Sequence, residues 1–274
     1  NPPVTISPQE IAQLKLSYQR MIASYREMFK SYQANTLSRI GIGGKAAAEM
    51  ADTMKRFEKE TVPRYIKAIN VLKDNGWSLS PQMDVDDFLG FANDTDDIDS
   101  RMSKLYTEGS YKLLLDELDY LRGNLPREFS SVLGEIERTV SDPNSSNVLC
   151  FGAMYSVLDY LFVRAVGREF YGKMYMTRRV EILKVLSQLG DPEKQVEYFG
   201  YWLKANLVLM ADQYHFQVLT QPSAKIDVTR HSVEHGRVDY SKLTNTLLFK
   251  LINLASSFSA IGSDLGDYVD LSKV

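Results

Sequence analysis

The sequence predicts an all-α protein folded as a helical bundle. Apolar residues recur every three or four positions along most of the 274 residues, which is the spacing of one buried helix face. Residues that begin helices, and glycines that end them, stand at the limits of these stretches. The alternating pattern of a half-buried strand is almost absent. We therefore expect a bundle preceded by a long N-terminal helical hairpin.

The first helix of the hairpin is predicted from its cap and from one apolar stripe. Ser7 is the expected cap, Pro8 takes the first helical position, and Glu10 follows three residues after the cap. Downstream, apolar side chains recur at helical spacing. They are Leu14, Tyr18, Ile22, Tyr25 and Phe29.

A second helix is expected to complete the hairpin. It is bent or broken at Pro63, because proline removes a helical hydrogen bond, and it ends near Gly76. The composition changes after this glycine. The sequence thus predicts a hairpin over residues 1–76 and a bundle over residues 77–274.

The bundle is predicted from a series of periodic segments. Residues 148–166 are apolar on nearly every face, which is typical of a central helix. In the last helix the apolar stripe starts at Tyr240, with Asp239 as its cap. That stripe continues through Leu243, Leu247, Leu251, Leu254 and Phe258. Other helices are expected over residues 99–122, 126–140, 177–190 and 191–216.

Composition limits the class of protein. The net charge of −3 argues against a broad basic coat for nucleic acid but leaves room for a local basic site. The single cysteine, Cys150, lies in an apolar stretch and is expected to be a buried thiol. The two longest apolar stretches carry Asp159 and Lys250 among several polar residues, so no membrane span is predicted. We expect a cytoplasmic protein.

One segment, "TRHSVEHGRVDY" at residues 229–240, concentrates residues that can do chemistry. It holds His231 and His235, two of the three histidines. Their spacing of four would place both on one helix face, as zinc proteases do, but the glutamate is displaced from the protease pattern. The sequence has no second cluster of histidine and cysteine. We therefore predict no metal and no cofactor.

Two other interpretations of this segment remain. Arg230 and Glu234 are four residues apart and can form an ordinary surface ion pair, with the histidines at the end of the helix before Gly236. Alternatively, the arginine binds a phosphate through its planar fork, and a histidine transfers protons near neutral pH. The second arrangement would suit acid–base cleavage of a phosphodiester.

The segment resembles the Arg-x4–6-His motif of the HEPN superfamily, a group of all-α proteins that often cleave RNA. The longer string "RHSVEHGRVDYSKLTNTLLFKLINL" is similar to a bacterial HEPN-like group with an Arg-His-x-x-x-His-Gly motif. The resemblance covers residues 76–262 and is sharpest over residues 230–254. Thr229 departs from the asparagine usual before the arginine. The matching residues are Arg230, His231, His235, Gly236, Asp239, Tyr240 and Asn245.

The resemblance implies a metal-independent endoribonuclease in bacterial defence, acting as a toxin or in abortive infection against phage. Arg230 would bind the scissile phosphate and His235 would be the acid or base. His231 would orient the phosphate or the motif of a partner chain. Tyr240 and Asn245 are candidate substrate-binding residues whose hydrogen bonds would fix the loop after Gly236. Expected partners are RNA, a second copy of the chain, and an antitoxin or another defence-system protein.

The helix geometry itself favours a homodimer. At about 100° per residue, positions 230 and 235 point about 140° apart around an ideal helix. One helix would have difficulty aiming both side chains at a single phosphate, whereas two copies across a two-fold axis could do so. Two alternatives stay open: a non-catalytic HEPN-like module that binds a nucleotide or RNA, and an acidic helical scaffold with an incidental Arg–His pair.

Overall fold

The computed structural model describes residues 59–60, 62–93, 97–142, 145–166, 175–189, 198–215, 228–234, 236, 238–262 and 265–269. The chain divides into two compact units, Asn1–Phe57 and Glu58–Val274. The division lies upstream of the predicted boundary at residue 76. Since the first unit lies outside the described residues, as do the stripe and cap expected there, the hairpin stays a prediction.

The second unit is an all-α helical bundle, as the sequence predicted, and its described residues include no strand. The helices, in chain order, are α1 (Val62–Asp74), α2 (Val85–Gly90), α3 (Ile98–Asn124), α4 (Phe129–Ser141), α5 (Val148–Ala165), α6 (Tyr175–Gln188), α7 (Tyr198–Gln213), α8 (Arg230–Glu234), α9 (Asn245–Ile261) and α10 (Leu265–Tyr268). A 3₁₀ turn, Tyr240–Lys242, lies between α8 and α9.

Helix α9 occupies the centre of the bundle. It packs against α3, α5 and α7, and every residue from Leu251 to Phe258 is buried. Eight consecutive buried residues cover all faces of a helix. Three of them, Asn253, Ser256 and Ser257, are polar, so this core contains polar groups that a simple apolar stripe does not reveal.

Helix α5, which the sequence predicted to be central, lies beside α9 and also packs against α4 and α8. Its first turn is open on one side, since Leu149 is 87% exposed. By length and composition α5 could cross a membrane, with a mean hydropathy of 1.4. Core helices of bundles pass the same test, and α5 buries Phe151, Leu158 and Phe162 inside the unit.

Helix α3 is broken, although the sequence predicted one continuous helix. Glu108 has an extended ψ of 155°, and Gly109, Ser110 and Tyr111 follow with φ values of 56°, 59° and 65°. Glycine and serine are poor helix formers, which weakens the helix at this point. The left-handed conformation costs about 1–2 kcal/mol for each non-glycine residue. The break therefore divides α3 into two arms that change direction at Gly109.

Two predicted helix limits can be compared with the structure. Helix α1 ends as expected, because Gly76 has φ +80° and its N–H donates to Lys73 O at 2.9 Å. The last helix begins later than predicted. Asp239 caps only the 3₁₀ turn, by accepting from Ser241 N, whereas Thr244 caps α9 by accepting from Leu247 N. A serine, threonine or aspartate fits either position, so residue type alone does not choose between them.

Candidate functional site around Arg230

Helix α8 is a single turn stabilised by its own polar residues. Thr229 and Ser232 are both buried. Thr229 N donates to Ser232 Oγ at 2.9 Å, and Ser232 N donates to Thr229 Oγ1 at 3.4 Å. This reciprocal arrangement is a capping box. Thr229 therefore caps the start of α8.

The turn ends where the sequence placed its stop. Gly236 has φ +61° and donates its N–H to Val233 O at 3.2 Å. A Cβ at this glycine would lie 3.7 Å from Tyr240 Oη, so the predicted residue Tyr240 folds back beside the end of α8. Its side chain is 53% exposed. The other predicted member of this turn, His235, lies outside the described residues.

Arg230 is the first residue of α8, and its guanidinium is held from two sides. Nε donates to Glu234 Oε1 at 2.9 Å, which confirms the predicted pair at a spacing of four. The guanidinium carbon also lies over the ring of Tyr214, 5.4 Å from its centroid. The side chain is only 13% exposed. Arg230 is therefore fixed against the bundle.

A chain of alternating charges connects this arginine to the interior. Asp159, on α5, lies 3.9 Å from Arg230 Nη1 and accepts from Arg178 Nε at 2.9 Å. Arg178 lies in turn 3.5 Å from Glu181. The side chains of Arg178 and Glu181 are each only 4% exposed. We refer to these residues, together with Glu234, as the charge chain.

Tyr214 joins the charge chain at its middle. Its hydroxyl donates to Asp159 Oδ1 at 3.2 Å. Burial raises the pKa of this phenol well above its ordinary value, and the carboxylate of Asp159 raises it further. The hydroxyl therefore keeps its proton and remains a donor to Asp159 at neutral pH.

The other predicted residues lie in different surroundings. Both ring nitrogens of His231 are buried, so they do not face solvent as direct phosphate contact would require. Asn245, the first residue of α9, accepts from Asn147 Nδ2 at 2.8 Å. Asn147 and Asp159 are separated by roughly 18 Å along α5. Within one chain the structure does not bring Asn245 close to Arg230.

A polar cleft lies near the start of α9. It has a volume of about 430 Å³ and separates the first turns of α3 and α9. Ser103 and Thr246 are hydrogen-bonded across it at 2.9 Å. Its lining consists of Asp99, Ser100, Ser103, Thr244, Thr246 and Leu247. Over the described ranges, no group of three or more histidine, cysteine, aspartate or glutamate side chains is placed to hold a metal ion.

Sequence reasoning missed a second polar centre, in the core. Glu117 is fully buried on α3 and accepts from Tyr106 Oη at 2.7 Å and from Asn253 Nδ2 at 3.4 Å. Burial raises the pKa of its carboxyl to about 7, against the opposite effect of hydrogen bonds from Ser80, Tyr106 and Asn253. The signal in the sequence was the set of polar residues on the otherwise apolar last helix, Asn253, Ser256 and Ser257, which could have indicated a buried polar centre.

This centre extends to the segment after α1. Ser78 N donates to Asn253 Oδ1 at 2.7 Å, and Ser78 Oγ donates to Asn206 Oδ1 at 3.1 Å. Ser257 Oγ lies 2.7 Å from Ser78 Oγ and accepts from Trp202 Nε1 at 2.7 Å. Buried polar groups that satisfy one another specify a single packing. These bonds fix the packing of α7 and α9 against the turn after α1.

No family model, curated protein or solved structure matches this chain. The class of protein that the structure establishes is an all-α helical bundle.

Proposed function

We propose that the protein is a metal-independent endoribonuclease of HEPN type, with Arg230 and His235 as its active pair. The supporting observation is the fixed guanidinium of Arg230 at the start of a one-turn helix that ends at Gly236. His235 directly precedes that glycine in the sequence, five positions after Arg230. The resemblance over residues 230–254 supplies the reaction class.

The proposed reaction uses the RNA's own nucleophile. A general base accepts the proton of the 2′-hydroxyl, whose oxygen attacks the adjacent phosphorus. The bond to the 5′-oxygen breaks, and that oxygen takes a proton from a general acid. Arg230 stabilises the charge on the phosphate, and His235 serves as acid or base. The products are a 2′,3′-cyclic phosphate and a 5′-hydroxyl.

The proposed assembly is a homodimer in which two copies of α8 face one cleft. The divergence of about 140° between positions 230 and 235 on an ideal helix is the argument for it. Each phosphate would then meet groups of both chains. The ring nitrogens of His231 are buried, so this residue would support the motif helix from within the bundle and would not contact the phosphate. The setting implied by the resemblance is the bacterial cytoplasm, where cleavage of RNA would act as a toxin or in phage defence, under an antitoxin or another defence protein.

One observation favours the second candidate, a non-catalytic module that binds RNA or a nucleotide. Glu234 and Asp159 already compensate the charge of Arg230. A phosphate must compete with these two carboxylates for the guanidinium. If the phosphate does not displace them, Arg230 stabilises the bundle, and an RNA or nucleotide bound nearby is not activated for cleavage.

The test is RNA cleavage in EDTA by the purified full chain, comparing wild type with His235→Ala. His215→Ala is the matched control, since this third histidine lies at the end of α7 outside the motif. Loss of a general acid or base costs about 10²–10⁴-fold, so His235→Ala should lose that much activity while His215→Ala keeps it. Arg230→Lys should also be impaired, because a point charge does not replace the planar fork.

The chemistry of the products separates the proposal from other nucleases. Cleavage should leave DNA intact and produce cyclic phosphate ends. Equal cleavage of DNA, or a requirement for magnesium, would contradict the mechanism. RNA binding without cleavage would establish the non-catalytic module instead.

A further inference from the structure

Asp159 is the point at which three donors of the site meet. Its Oδ1 atom accepts from Arg178 Nε at 2.9 Å and from Tyr214 Oη at 3.2 Å, and it lies 3.9 Å from Arg230 Nη1. These donors belong to different elements: α6, the residue after α7, and α8. One carboxylate oxygen on α5 therefore connects the motif helix to two other parts of the bundle.

The carboxylate is held from the buried side. Arg178 is 4% exposed, lies 3.5 Å from Glu181, and has its guanidinium carbon 5.4 Å from the ring centroid of Phe162. Asp159 is the nearer of the two carboxylates, at 2.9 Å from Arg178 Nε, so a buried Arg178 that lost it would keep only the longer contact with Glu181, which is unfavourable. Arg178 thus keeps Asp159 in one orientation and makes it a fixed reference for Arg230.

The two carboxylates near Arg230 act differently. Glu234 accepts directly from Nε and belongs to the same short helix, so it moves with the arginine. Asp159 belongs to the core helix α5 and attracts the guanidinium at 3.9 Å, the distance of an ion pair and longer than a charge-assisted hydrogen bond. Of these two carboxylates, Asp159 is therefore the one that relates the guanidinium to the bundle, together with the ring of Tyr214.

We infer that Asp159 is the positioning residue for Arg230, held in place by Arg178 and Tyr214. This inference rests on the proposed function, in which the Arg230 guanidinium meets the scissile phosphate. Misplacing a group by about 1 Å costs on the order of 10²-fold in rate. The charge chain would thus transmit the rigidity of the core to a helix of a single turn.

The test compares Asp159→Asn with Asp119→Asn, the same change at an exposed site on α3. The first readout is the Nε–H signal of Arg230 in ¹⁵N-arginine spectra, assigned by its loss in Arg230→Lys. Asp159→Asn should shift this signal and speed its hydrogen exchange, and Asp119→Asn should leave it unchanged. The second readout is RNA cleavage, where kcat should fall about 10–100-fold with a smaller change in KM.

If Asp159→Asn does not fold, Asp159→Glu takes its place, because it retains the negative charge and keeps Arg178 paired. It should return the Arg230 signal and kcat part of the way to wild type. The spectra do not depend on catalysis: if wild type cleaves no RNA, the proposed function fails while the Arg230 signal still decides the positioning role. An Arg230 signal in Asp159→Asn that is the same as in wild type overturns the inference whatever the activity. If only Asp159→Glu folds, its longer side chain should still shift the signal by a smaller amount, and a signal identical to wild type overturns the inference.

Discussion

Tyr106 Oη donates a 2.7 Å hydrogen bond to Glu117 Oε2 across the break in α3. On an unbroken helix these residues would lie roughly 16 Å apart along the axis, too far for a direct bond. The break at Gly109 therefore lets two arms of one helix share a buried carboxyl group. Both partners are fully buried.

Glu117→Gln should remove a dependence of stability on pH. The carboxyl pKa is about 7 in the folded protein, raised by burial from its ordinary 4.5, so between these values the folded state binds more protons than the unfolded state. Wild type should lose stability as pH rises from 4.5 to about 7, by roughly 3 kcal/mol in all. Urea unfolding at several pH values should show a flatter curve for Glu117→Gln. The exposed Glu128→Gln should keep the wild-type slope; a slope preserved in Glu117→Gln would contradict the assignment.

Tyr106→Phe should destabilise the fold and move this pH dependence upward. The change removes a donor to a buried carboxylate, and such losses cost about 1–3 kcal/mol. The Tyr106 hydrogen bond lowers the pKa of Glu117. Without this bond, the loss of stability with rising pH should continue to a higher pH than in wild type. The measurement is the same urea series. If stability is lost over the same pH range as in wild type, the Tyr106 hydroxyl does not bind the Glu117 carboxyl in solution.

Two adjacent serines in α9 should respond oppositely to alanine. The Ser257 hydroxyl accepts from Trp202 and pairs with Ser78, so Ser257→Ala should cost about 1–3 kcal/mol. The buried Ser256 hydroxyl has no hydrogen-bond partner over the described residues. Ser256→Ala should be neutral or stabilising, because alanine is the better helix former. Thermal unfolding of the two variants checks the order of their stabilities, and the reverse order would refute the network.

Gly76→Ala should destabilise and Gly134→Ala should stabilise. Gly76 has φ +80°, where an L-residue is strained, and a Cβ there would lie 3.4 Å from the Lys250 side chain. The expected loss is about 1–2 kcal/mol. Gly134 lies within α4 with nothing within 4 Å of a Cβ, so alanine should contribute about 0.5–1 kcal/mol. Chemical unfolding gives both values, and equal effects would contradict the left-handed conformation at Gly76.

The sequence predicted the fold class and several helix limits because these depend on local spacing. Gly76 and Gly236 end their helices where expected, since a left-handed residue is a local requirement. The Arg230–Glu234 pair also follows from spacing alone.

Other features depend on contacts between distant segments. Asp159 was noted only as a charge within an apolar helix, and nothing local indicates that Arg178 and Tyr214 bind it. Glu117 looks like any surface glutamate until α9 covers it. The later start of α9 was missed because Asp239 and Thr244 are equally good caps by residue type. Tertiary packing decides these points, so a single sequence does not.

The bond between Ser78 N and Asn253 Oδ1 joins residues 175 positions apart. Ribosomes add about 5–20 residues per second, so the amide emerges roughly 10–35 s before its acceptor is made. Throughout that interval Ser78 N, on the segment after α1, lacks the acceptor that α9 supplies. A nascent chain stalled or cut before α9 would expose this amide, along with the apolar faces around it, to chaperones and proteases. Completion of the bundle therefore has to await the synthesis of α9.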